Sequence, residues 1–195
     1  MKKLFYTLCI VLITNLGASA ASDQKASFEK GCNEGNIIAC YNLGIMHDEG
    51  YANLIEDDNK AIELYLKACD SNYYDACSRA AFLYEEGNNV ELDMKKAFKL
   101  YAKACGGNDG YACHNVAVYL SKNENQAIKK LSINFYDKAC TDGYADSCII
   151  MGRIYRDSKS LTRDYKKAKE KFEMACELNN RLGCKEVRIL EGLGI

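Results

Sequence analysis

Ten of the eleven cysteines fall into five pairs, Cys32 and Cys40, Cys69 and Cys77, Cys105 and Cys113, Cys140 and Cys148, Cys176 and Cys184, each pair eight positions apart. The first members recur 37, 36, 35 and 36 residues apart. A near-constant period of this length marks stacked supersecondary units that bury their apolar faces against one another, rather than one globular core. On a single α-helix, residues eight apart have α-carbons roughly 12 Å apart, whereas a disulfide needs them within roughly 7 Å. The chain therefore has to double back inside each pair. Two antiparallel helices joined by a short turn bring the end of the first beside the start of the second, which suits a bridge. Each bridge would close a small loop worth on the order of 2–3 kcal/mol in the chain-entropy model.

Aligning the repeats on the first cysteine exposes further regularities. Four positions before it stand Phe28, Tyr65, Tyr101, Tyr136 and Phe172, one helical turn away on the same face. Just before it stand Gly31, Ala68, Ala104, Ala139 and Ala175, and just before the second cysteine stand Ala39, Ala76, Ala112, Ser147 and Gly183. Small side chains at both places allow two helices to approach closely. Tyr84, Tyr119 and Tyr155 lie six or seven residues past the second cysteine and extend an apolar stripe, read as packing between helices. Each repeat is thus a first helix, as in AIELYLKAC or AKEKFEMAC, followed by a second, as in ACSRAAFLYEEG or SCIIMGRIYRDS. Asn36, Asn72, Asn108, Gly143 and Asn180 mark the turn inside each pair, Gly50 and Gly87 close second helices, and EGYANLIED, EGNNVELD, SKNEN and SKSLTRD link successive repeats.

Residues 1–20, MKKLFYTLCIVLITNLGASA, combine Lys2 and Lys3, an apolar run, and Ala18-Ser19-Ala20 in the small-x-small cleavage pattern, so they read as a secretory signal peptide. The apolar run falls short of the roughly 20 residues of a membrane span, so no membrane anchor is expected. Cys9 leaves with the leader. The remaining residues, 21–195, hold ten cysteines, an even number suited to an oxidising compartment in the periplasm or beyond. Lys+Arg 26 against Asp+Glu 27, for a net charge of −1, offers no basic excess for phosphates and excludes nucleic acid as a main partner. Metal is also not expected, nor any other cofactor: no CxxC knuckle occurs, and the two histidines, His47 and His114, read as packed or solvated side chains, His47 where later repeats have Tyr. Glu49, Glu56, Asp57, Asp58, Glu85 and Glu86 gather in or near the linking segments and read as solvated surface, or as a rim for a basic peptide.

With an aromatic, three residues, Cys, seven residues and Cys in every repeat, helices ending in KAC, and stretches such as ACYNLGIMHDEG, the chain from about Ser22 to about Leu190 resembles Sel1-like repeats, and in particular the Helicobacter cysteine-rich protein family. The expected fold is all-α: a right-handed superhelical solenoid of TPR-like αα-hairpins, each stapled by a disulfide. Repeat five ends in KEVRILEGLGI, read as a shortened, charged second helix that caps the array. The resemblance implies an exported penicillin-binding protein with slow beta-lactamase activity, taking a beta-lactam or peptidoglycan-like ligand. The alternative it implies is a non-catalytic scaffold for proteins, peptides or peptidoglycan fragments, bound on a concave face by a monomer.

The residues themselves offer no catalytic site. A serine beta-lactamase needs Ser with Lys one turn later plus partner motifs. Ser22-x-x-Lys25 and Ser27-x-x-Lys30 match only the first, SDN and KTG are absent, and Tyr51-Ala52-Asn53 copies a Y-x-N motif within a loop. Proteolysis of the unreduced protein is expected to yield five local disulfide-linked fragments; mass mapping that finds a link between different repeats would refute the hairpin reading.

Overall fold

The computed structural model describes residues 22–51, 55–157 and 163–195; the expected leader, with Cys9, lies outside them. The described residues form helices only: α1 (22–33), α2 (Ile37–Asp48), α3 (Asp58–Asp70), α4 (Tyr74–Glu86), α5 (Met94–Gly106), α6 (Gly110–Ser121), α7 (Gln126–Thr141), α8 (Ala145–Asp157), α9 (Tyr165–Glu177) and α10 (Arg181–Gly192). Consecutive helices pair as antiparallel hairpins, the all-α solenoid repeat expected from the spacing. Two compact units divide within α5, one ending at Ala97 and the other starting at Phe98.

Each hairpin turn is closed by a disulfide and by the backbone. Cys32–Cys40, Cys105–Cys113, Cys140–Cys148 and Cys176–Cys184 have Cα atoms 4.6 Å apart, and Cys69–Cys77 4.8 Å. Three residues past the first cysteine the chain enters the left-handed region at Gly35, Asn72, Asn108, Gly143 and Asn179, with φ between 63° and 90°. Glycine and asparagine tolerate that conformation best. One residue further on, an N–H returns to the carbonyl just before the first cysteine, as in Asn36 to Gly31 (2.9 Å), Tyr144 to Ala139 (2.8 Å) and Asn180 to Ala175 (2.9 Å). The five turn residues chosen from the sequence therefore divide into two jobs. Asn72, Asn108 and Gly143 make the left-handed turn, whereas Asn36 and Asn180 cap the second helix, accepting from the N–H of Ala39 at 3.1 Å and of Leu182 at 3.0 Å. The first helices have caps that the sequence reading passed over: Asp57, Asp93 and Asp164 accept from the N–H of Lys60, Lys96 and Lys167 at 2.9–3.0 Å. Gly87 ends α4 with φ 64°, and Gly50 follows α2 with φ 63°, as expected.

Small residues seat the two helices of a hairpin against each other: a Cβ on Gly31 would lie 2.9 Å from that of Ala39, and one on Gly183 2.7 Å from that of Ala175. Between hairpins the contact is a ring on a bare helix. Four residues past the second cysteine stand Gly44, Ala81, Ala117 and Gly152. The Tyr65 ring lies where a Gly44 Cβ would sit, 2.7 Å away, and the Phe172 ring crowds Gly152 still more closely; Tyr136 clusters with Ala117 and Met151. Tyr65, Tyr101, Tyr136 and Phe172 are buried, as the packing reading requires, while Phe28 in the first hairpin is only half-buried.

The tyrosines past the second cysteine pack between helices, as the stripe requires, at the margin of the core: Tyr155 lies against the clusters of Phe172 and Tyr136, Tyr119 against Phe98 of α5 at 4.5 Å, and Lys96 (4.9 Å) and Lys167 (5.5 Å) lie over Tyr84 and Tyr155. One expectation needs correction: the last helix is not shortened. With 12 residues α10 matches α2 and α6, because Leu190 is buried in a cluster with Phe172 and Ile149 and holds the final turn in place.

Gly44→Ala is expected to destabilise the protein by up to about 2 kcal/mol, overpacking of about 1–3 kcal/mol offset by about 1 kcal/mol of helix propensity. In a Tyr65→Leu background the same change should become neutral or stabilising. Urea midpoints of the four proteins test this, and an equal cost in both backgrounds would refute the ring-on-glycine contact.

Candidate functional site

The N-terminal unit holds an open cleft of about 370 Å³ between α1, α2 and α3. Leu43 and Leu64 form its apolar floor, His47 closes one end, and Glu29, Lys60, Glu63 and Lys67 stand around the mouth. Lys60 pairs with Glu63 at 2.7 Å, and Lys67 donates to the Cys32 carbonyl at 2.8 Å. Burial holds the His47 imidazole below the ordinary histidine range; Asp57 and Glu29 oppose that shift, and Lys25 and Lys60 reinforce it. As read from the sequence, His47 takes the place of a Tyr: its carbonyl accepts the Asp57 N–H at 2.9 Å, as Tyr84 does for Asp93 and Tyr155 for Asp164.

His114, on α6, is packed. Its ring lies 4.7 Å from Tyr144 and 5.6 Å from Tyr136, and its Nδ1 is 2.8 Å from the Ser147 hydroxyl. A serine beside an imidazole is the start of a nucleophile–base pair, but Ser147 is wholly buried, so no substrate reaches it. Ser147 escaped notice because it stands in the slot where the other hairpins carry Ala or Gly. Burial depresses the His114 pKa, opposed by Asp146.

Also missed in the sequence are two ion pairs at matching places with reversed polarity. In the N-terminal unit, Asp48 near the end of α2 accepts from the Tyr65 hydroxyl at 2.8 Å and faces Arg79 of α4 at 3.5 Å. Burial raises the Asp48 pKa, against the Tyr65 hydrogen bond and Arg79. In the C-terminal unit the place of Asp48 is taken by Arg156, which pairs with Glu186 of α10 at 2.5 Å and lies 5.6 Å over the Phe172 ring. Where the ring carries a hydroxyl the neighbour is an acceptor; where it is bare, a cation covers its face.

The remaining sequence candidates do not converge. Lys25 pairs with Glu29 and Lys30 with Glu34 (3.9 Å), and neither S-x-x-K pair is accompanied by an SDN or KTG motif. Tyr51 is exposed, and Ala52 and Asn53 lie outside the described residues. The acidic residues do not form one rim: Asp57 caps α3, Asp58 is buried and accepts from Asn89 at 3.1 Å, Glu49 faces Arg79 at 3.7 Å, and Glu56 and Glu86 are exposed. Among the described residues no cluster of His, Cys, Asp and Glu could hold a metal ion, and no helix is long and apolar enough to cross a membrane.

The Sel1 repeat family model matches residues 37–73, 75–109 and 145–180. Cytochrome c oxidase assembly factor 7 from Xenopus tropicalis is 34% identical over 89 residues, 42% of this chain, and the chain spans only 38% of that relative. Among solved structures, a Sel1 repeat protein from Oxalobacter formigenes superposes with a TM-score of 0.72 at 23% identity over 84% of this chain and 68% of its own. Helicobacter pylori cysteine rich protein B does so with a TM-score of 0.50 at 28% identity, over 67% of this chain and 94% of its own.

A histidine whose folded pKa is depressed contributes stability above about pH 6.5 and loses it as pH falls through the folded value, because the unfolded chain binds the proton first. Acidification from about pH 7.5 to about pH 5 should therefore lower the urea midpoint of the wild type more than that of His114→Gln, which keeps a partner for Ser147 but does not titrate. A larger drop in the variant would refute this account of the His114 site.

Proposed function

We propose that this chain, which belongs to the Sel1 repeat family in its cysteine-rich, Helicobacter-like form, works as a stapled scaffold that binds a protein or peptide segment. One observation carries the reading. Framework positions repeat the same residue class in every hairpin, whereas the position two before the second cysteine, exposed in all five, holds Ile38, Asp75, Tyr111, Asp146 and Leu182. A constant frame under a varied surface is how stacked repeats build recognition faces. The assembly-factor name of the Xenopus relative is in keeping with such a role.

Export supports the same picture. Five disulfides suit an oxidising compartment, and a cleaved leader over 1–20 would deliver residues 21–195 to the periplasm or beyond as one monomeric five-repeat domain. The hydrolase reading draws no support from the described geometry, since the Ser147–His114 pair is sealed and the S-x-x-K pairs at Ser22 and Ser27 come without partner motifs. A peptidoglycan fragment stays within this proposal only as a bound ligand.

Oxidised protein covering residues 21–195 should bind members of an immobilised peptide array and lose them on reduction. It should turn over a chromogenic beta-lactam no faster than a mock preparation from cells lacking the gene. Turnover above the mock that vanishes on reduction, without peptide binding, would overturn the scaffold reading in favour of an enzyme.

A further inference from the structure

The repeat supplies its own control for the cleft of the N-terminal unit. At two other places a lysine nine residues before the first cysteine of a hairpin lies over the tyrosine that ends the preceding helix: Lys96 over Tyr84 at 4.9 Å, and Lys167 over Tyr155 at 5.5 Å. Between the first two hairpins the tyrosine is His47, and the matching Lys60 turns instead to Glu63 at 2.7 Å. Here a smaller ring stands where the other two places have tyrosine, and Lys60 lines the cleft instead of covering a ring.

A lysine lines the same cleft. The lysine of the KAC segment reaches back to the preceding hairpin in both units. Lys138 donates to Asn108 at 2.8 Å and pairs with Asp142, one helical turn later, at 2.9 Å. Lys67 donates to the Cys32 carbonyl at 2.8 Å and lies 3.6 Å from the Cys32 sulfur, and the residue one turn later is Ser71, as it is Gly107 after Lys103. Glu29 and Glu63, which line the same cleft, are held by Lys25 and Lys60. The Lys67 ammonium has three donors, two of them directed at Cys32, and it stands beside Leu43 and Leu64 in the lining. His47 adds a ring N–H donor at the far end, and Asn33 an amide at the mouth.

We infer that this cleft binds a carboxylate carried on a compact apolar group, with Lys67 holding the carboxylate and Leu43 and Leu64 receiving the apolar part. About 370 Å³ accommodates a group of the size of one amino-acid residue. The chemistry is shared by the C-terminal residue of a peptide and by a free small acid. The inference rests on the scaffold reading and adds to it one anchoring point.

The test compares N-acetyl-leucine with N-acetyl-leucinamide, which lacks the charge, and acetyl-Gly-Gly-Leu with its amide, by titration calorimetry and amide chemical shifts of Leu43, His47 and Leu64. Both acids should bind about tenfold or more tightly than their amides, the scale of one charge-assisted hydrogen bond. Lys67→Gln, which keeps a donor for Cys32, should bring the acids to the level of the amides, and Lys67→Arg should retain the preference. A tripeptide acid that binds more tightly than N-acetyl-leucine identifies a peptide terminus as the source, and equal binding identifies a free acid; both support the site. Acid and amide binding alike, an unchanged preference in Lys67→Gln, or no saturation by either acid at about 10 mM would overturn it. The first of these would leave peptide binding elsewhere on the scaffold untouched.

Discussion

A ring from one hairpin resting against the bare turn of the helix before it is the contact on which each unit depends, because the hairpins themselves have little to bury. Inside a hairpin the two helices meet through Ala39, Ala76, Ala112, Ser147 and Gly183, side chains that allow close approach and remove little apolar area from water. Burying Tyr65 or Phe172 at the next interface is worth roughly 2–3 kcal/mol each. It requires Gly44 or Gly152 beneath the ring. Stability therefore resides between hairpins, and the disulfide with its left-handed turn supplies within each hairpin the cohesion that small residues cannot.

The same contact distinguishes the fifth hairpin from the others. Four residues past the second cysteine, Gly44, Ala81, Ala117 and Gly152 give way there to Arg188, an exposed side chain whose Nε donates to the Cys184 carbonyl at 3.3 Å. A long cation at this position offers a ring no flat surface, while α10 itself keeps its full 12 residues. In the first hairpin Phe28 holds the aromatic position and is half-buried.

Fold class was legible because cysteine spacing, small residues and rings recur in phase, and each has one geometric solution. What was not legible depends on contacts between repeats that no single repeat displays. Gly44 and Gly152 look like any helical glycine until the ring of the next hairpin is placed on them. Asp48 with Arg79, and Arg156 with Glu186, lie about thirty residues apart, and their reversed polarity hides the equivalence from an alignment by residue type. Asp57 reads in the sequence as solvated surface or as part of a rim, because its charge is visible there and the hydrogen bond that it accepts from the Lys60 N–H is not. The pairing of Ser147 with His114 is hidden for a similar reason, the serine standing where packing calls only for a small side chain.

In a repeat protein, the residues that obey the pattern explain the fold, and those that break it without harming the fold are where a ligand can be sought. Arg188 breaks the rule for a small residue and has a place in the structure: it is exposed, and its Nε donates to the Cys184 carbonyl of its own helix. Ser147 replaces alanine and has a reason too, its hydroxyl being matched by His114. His47 breaks the tyrosine rule and lines a cleft together with Lys67 of the next hairpin. The departure gives packing no return, since the histidine fills less space than tyrosine. An exception without a stabilising return, placed beside a lysine and the apolar Leu43 and Leu64, sets this cleft apart from the places where the pattern is kept.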